Sequence, residues 1–178
     1  MNIRHELGLT QNVTMVPVRT TLVDHWPKWV VASVLKHFND RRRHVPMFAE
    51  GQEQLDRLPE WFEVRVDGPY IKKYTKPFYE IGVEVNVLIS TAMNNSNLYT
   101  HQNNVGTIVS AFDVSIPLLK LGLGIDDTGE QWGCLTLSNA ERDALRVTNF
   151  GQITSHTPML RSSVEGHYYA QVKNNGSN

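Results

Sequence analysis

The chain has 178 residues, enough for one domain with a hydrophobic core of its own. Hydrophobic residues make up 40% and charged residues 20%, the balance of an ordinary globular protein rather than a disordered or fibrous one. A formal net charge of −1 and a sequence pI near 6.6 exclude the strongly basic profile of a protein that coats nucleic acid.

The opening "MNIRHELGLTQNVT" has no apolar core of signal-peptide length. No apolar run approaches the roughly 18–20 residues that span a bilayer. Residues 1–23 alternate weakly and lack a helical face, so they read as an N-terminal arm or as a first strand around Thr14–Val18. A single domain is expected over residues 24–172, followed by a polar, flexible tail at 173–178.

The first helix is predicted from Asp24 to Asp40. Asp24 suits an N-cap, and Pro27 falls in the first turn, where a missing N–H costs nothing. Val30, Val31, Val34, Leu35 and Phe38 recur at helical spacing and form one apolar face, with Trp26 and Trp29 on or beside it. Arg41, Arg42 and Arg43 follow at its end, where cations complement the helix dipole.

Residues 44–59 read as a connection with a short helical turn. In "EWFEVRVDGPY", Phe62, Val64 and Val66 alternate with Glu63, Arg65 and Asp67 as in a strand, and Asp67-Gly68-Pro69 signals a turn. The stretch "FYEIGVEVNVLISTAMNNS" sets Ile81, Val83, Val85, Val87 and Ile89 on one face; Glu80, Glu84, Asn86 and Ser90 lie on the other. This long, two-faced strand is expected to pair with the preceding one as an antiparallel hairpin. Left exposed, such an edge is a template for pairing, and another copy of the chain is one way to cover it.

Asn103 or Asn104 is expected to cap a second, shorter helix with Val105, Ile108, Val109 and Phe112 inward. "IPLLKLGLG" reads as a strand, with Pro117 arguing for an edge position. Asp126–Gly129 is a turn, Trp132–Leu137 a strand, and Ser138–Glu141 a capping box. The last strand is expected at Ser163–Val172. The fold class is therefore α+β: an antiparallel or mixed sheet with long strands and two main helices packed on one face.

Motifs of chemistry are few. The tripeptide at Asp127–Gly129 matches that of aspartic proteases, in which two carboxylates share a proton, but it occurs once and in a turn that favours Asp and Gly for conformational reasons. The seven histidines include no His-Glu-x-x-His pair, and the single cysteine, Cys134, rules out the usual zinc clusters. The same cysteine count forbids an intramolecular disulfide and fits a cytosolic origin. No nucleophile elbow, phosphate loop or dinucleotide fingerprint is present in the sequence. No catalytic, cofactor or metal residue is assigned.

Taken together, "WPKWVVASVLKHFNDRRR", "WFEVRV", "YEIGVEVNVLIST", "VGTIVSAFD", "IPLLKLG" and "VEGHYYAQV" resemble, in element order over most of residues 24–172, the tail terminator proteins of long-tailed bacteriophages. The resemblance implies a structural virion protein without enzymatic activity or cofactor. Such a protein forms a homo-oligomeric, hexameric ring at the head–tail junction, made in the host cytoplasm and located in the virion neck. Its partners would be further copies of itself, the tail tube protein and the head–tail connector protein, with DNA as passing cargo and no membrane. On this reading Arg41, Arg42, Arg43, Asn94 and Asn95 are interface residues, and Glu80 and Glu84 face the channel, where carboxylates repel phosphate within a Debye length. The alternatives are another connector, stopper or baseplate component, a hydrolase with a distributed site near Asp127, and a small-molecule binding module built on the aromatic residues.

Overall fold

The computed structural model describes residues 16–18, 26–52, 58–75, 78–93, 97–121, 128–138, 145–153 and 158–174. The first helix, α1, spans Trp26–Arg41. Trp29, Val30, Val34 and Phe38 are buried on its inner face, as the helical spacing requires. The arginine run ends it: Arg43 adopts φ 60°, the left-handed conformation that closes many helices. The expected cap at Asp24 lies outside the described residues.

Eight strands form one mixed sheet: β1 (Val16–Val18), β2 (Met47–Ala49), β3 (Glu60–Thr75), β4 (Phe78–Ala92), β5 (Ser115–Leu119), β6 (Gln131–Leu137), β7 (Leu145–Ile153) and β8 (Met159–Asn174). The main path runs β2-β3-β4-β8-β6-β5. The β2–β3 and β1–β8 pairings are parallel, and the others are antiparallel. The outer edge of β8 is shared in sequence by β7, β6 and β1. The second helix, α2, spans Asn97–Ala111 and packs on β4 and β8.

Helix α1 packs against β3 and also against β5, near opposite ends of the strand order, so the sheet curls around it. Ser33 ties the helix to β5: its Oγ donates to the Leu119 carbonyl at 3.2 Å and accepts from the Leu119 N–H at 2.8 Å. Inside the curl, Ile81, Val83, Val85, Val87 and Ile89 of β4 are 0–1% exposed. Burial of one such side chain contributes about 1.5–3 kcal/mol. Phe112 joins the layers, with its ring 4.9 Å from Phe38 and stacked 6.3 Å from Tyr168.

Several boundaries differ from expectation. Asp67-Gly68-Pro69 does not reverse the chain, because β3 continues to Thr75. Two residues there, Gly68 and Pro69, oppose the single Val83, which makes a β-bulge. Gly68 has φ +105°, and a Cβ on it would lie 2.9 Å from the Gly82 carbonyl oxygen, so only glycine fits. Helix α2 starts at Asn97, several residues earlier than expected, and Asn103 and Asn104 lie inside it. β2 and β7 were not foreseen. β7 is exposed on both faces at most positions, so it carries no alternation to read. Pro117 does lie in an edge strand, since among the described strands β5 pairs only with β6. Val16–Val18 of the expected arm pair in the sheet with Val172–Asn174, the last two of which belong to the expected tail. Finally, β4 is hydrogen-bonded on both sides, by β3 and by β8, so its edge needs no second chain to cover it.

Candidate functional site

The face of β3, β4 and β8 turned away from the helices carries the charged groups. Alternation along β4 places Glu80, Glu84 and Asn86 there, and the register extends the face sideways. Asp67, Glu84 and His167 form one lateral row; Arg65, Asn86, Glu165 and Arg146 form the next. His167 stands between two carboxylates, with Nδ1 3.9 Å from Glu84 and Nε2 3.4 Å from Glu165. Arg65 Nε lies 2.9 Å from Asp67 and 3.5 Å from Glu50. These side chains are between about one-quarter and one-half exposed. Exposed pairs of this kind contribute about 0–1 kcal/mol each, so the face is a solvated surface more than a brace for the fold.

The other polar cluster is sealed beneath α2. His101 Nδ1 is 3.0 Å from Thr91 Oγ1, and its Nε2 is 2.8 Å from Ser162 Oγ. Ser162 Oγ in turn donates to Asn149 Oδ1 at 2.7 Å. With that proton committed, Ser162 accepts from His101 Nε2–H, and Nδ1 accepts from Thr91. Desolvation by burial lowers the His101 pKa and keeps the ring neutral. Despite its Ser–His contact the group is no nucleophile–base pair: the hydroxyl proton points away from the imidazole, and Thr91 and Ser162 are about 1% exposed. The cluster positions α2 on the sheet, assisted by Asn104 Nδ2 donating to Glu60 at 2.7 Å.

The residues singled out in the sequence are not brought together. Glu80 and Glu84 share the charged face, and Glu84 is 36% exposed, so it is not locked in the core. Arg41 lies at the far end of α1, where it pairs with Asp113 at 2.9 Å and donates to the His37 carbonyl. Arg42 donates to the Val45 carbonyl. Two of the three arginines thus serve the chain's own helix ends. Asn94 and Asn95 lie outside the described residues, as do Asp126 and Asp127. Thr128 and Gly129 of the Asp-Thr-Gly tripeptide are exposed where the β5–β6 connection closes, with Gly129 N–H donating to the Lys120 carbonyl at 2.7 Å. Among the described residues, no three His, Cys, Asp or Glu side chains are grouped to hold a metal ion. No described helix is long and apolar enough to cross a membrane. The sequence does not reveal the His101 cluster, because a cap at Asn103 or Asn104 sets His101 before the second helix and nothing local marks it as buried.

No protein-family model matches the chain, and no curated protein does. One solved structure, whose name describes no activity, superposes with a TM-score of 0.48 at 12% identity, covering 80% of this chain and 94% of its own. A likeness of that degree carries no inference about function.

Proposed function

We propose that the chain is a structural protein of the head–tail junction of a long-tailed bacteriophage, forming a ring that ends the tail tube and docks it to the connector. The observation that supports this most is the division between the two faces of β3, β4 and β8. These strands have 15–16 residues each, about 50 Å at the usual rise. One face closes over the helices and the other is charged. A ring that turned the charged face inward would present Glu80 and Glu84 to DNA in transit, and carboxylates there discourage adhesion. Because β4 is paired on both sides within the chain, contacts between copies fall to the periphery. β7, with Val147 45% and Phe150 51% exposed, and the first turn of α2, with Leu98 58% and Tyr99 78% exposed, are the surfaces for them. The tail tube and connector proteins are the other partners. A stopper or another neck component is the neighbouring reading, separated by position in the virion.

Light scattering of the purified chain over a concentration series, alone and with tail tubes, tests the proposal. A closed ring, formed alone or on the tube, is the expected result. A strict monomer that neither binds tubes nor limits their length would sink it.

A further inference from the structure

Near one end of the sheet's charged face, three side chains stand in a line. The β3–β4 register sets Trp61 opposite Ser90, and the β4–β8 register sets Ser90 opposite Arg161. With strands about 4.8 Å apart, the line is roughly 10 Å wide. Ser90 is 0% exposed and is the small residue between two long ones. Each member has a buried polar atom without a hydrogen-bond partner: Trp61 Nε1, Ser90 Oγ and Arg161 Nε. Among the described residues, only Trp132 Nε1, on β6, is in the same condition.

An unpartnered buried donor costs about 1–3 kcal/mol, so three in one row call for a partner. The indole and guanidinium N–H groups can only donate, and the serine hydroxyl can. Arg161 is permanently charged and has no ion pair among the described residues. What the row lacks is an acceptor with negative charge. The register also defines its flanks: Ala92 and Met159 on one side, Glu63, Leu88 and Ser163 on the other. The Ala92–Met159 flank is apolar, and Glu63 on the other side repels a dianion about twice as strongly as a monoanion, so the row favours a single, weakly hydrated charge over a phosphate dianion.

We propose that the Trp61–Ser90–Arg161 row is a binding site for one carboxylate group, held by the arginine fork with the serine and indole donors beside it. The source is either a small organic acid or an acidic side chain of a partner.

Thermal melting of the full chain at neutral pH, with acetate on the order of tens of millimolar against chloride of equal ionic strength, tests this. Acetate is expected to raise the wild-type Tm in a concentration-dependent way. Arg161→Met is expected to melt at or above the wild-type temperature without acetate and to lose the acetate response. If that variant does not fold, Arg161→Lys carries the test: it keeps the charge without the fork and should respond about tenfold more weakly. An equal shift in chloride, an acetate response that persists in the arginine variants, protection by phosphate alone, or a high-resolution structure in acetate showing only water at the row each overturns the proposal. If acetate binds, an acidic peptide that protects at lower concentration than acetate marks a side chain as the source, and equal concentrations mark a free acid.

Discussion

Two histidines carry much of the chemistry of the interior. His101 joins α2 to β4 and β8 through hydroxyl groups, and His37 Nε2 lies 2.9 Å from the Ala111 carbonyl, joining α1 to the end of α2. Replacing His101 with Ala leaves Thr91 and Ser162 short of a partner beside a small cavity. The expected loss is about 2–4 kcal/mol in urea unfolding. Desolvation by burial is the leading cause of a lowered pKa in both histidines, relative to the ordinary 6.5. The unfolded chain therefore takes up protons first as pH falls. Their stabilising contribution is complete above 6.5 and declines as pH drops from there toward the folded-state values. Unfolding curves at a series of pH values below neutrality should show that decline, and His101→Gln should flatten it. At the end of α1, Arg43 holds a left-handed conformation that favours glycine. Arg43→Gly should be neutral or stabilising by up to about 1 kcal/mol, read as a rise in Tm.

At the scale of elements, the bulge in β3 decides the geometry of the hairpin. It lets the strand run on past Asp67 and re-registers it against β4, so that Tyr70 pairs with Gly82. Gly68→Ala would meet both a positive φ and the Gly82 carbonyl. The expected cost is more than about 1 kcal/mol, seen as a lowered urea midpoint with an unchanged slope. The Asp-Gly-Pro signal was legible in the sequence, but its outcome was not. The same residues suit a turn or a bulge, and the pairing offered by β4 on the far side of Pro69 selects the bulge. α2 shows a similar effect. Asn103 and Asn104 are good caps by type, yet Asn104 is spent on Glu60 and His101 on the sheet, which carries the helix back to Asn97.

For the whole molecule, the curl of the sheet around α1 encloses one core and leaves the periphery to present apolar residues. If copies meet through β7, the double variant Val147→Asp and Phe150→Asp should lower the mass seen by light scattering. Its Tm should stay within a degree or two of wild type, since both side chains are about half exposed. A loss of Tm together with mass would mean instead that β7 serves the fold.

The alternation of Ile81–Ile89 by itself determined β4 and its two faces, because a period of two can be satisfied only by a pleated strand with one side buried. The helical spacing of Val30, Val34 and Phe38 determined α1 in the same way, and Pro117 its neighbour's edge position. Only the tertiary structure decided what lies beside what. The Glu84–His167–Glu165 contacts, the His101 cluster and the Trp61–Ser90–Arg161 row each join residues far apart in the chain, through registers that hydrogen bonding between distant strands sets. β7 was invisible for a related reason: a strand exposed on both faces needs no hydrophobic pattern, and it exists because β8 offers it an edge.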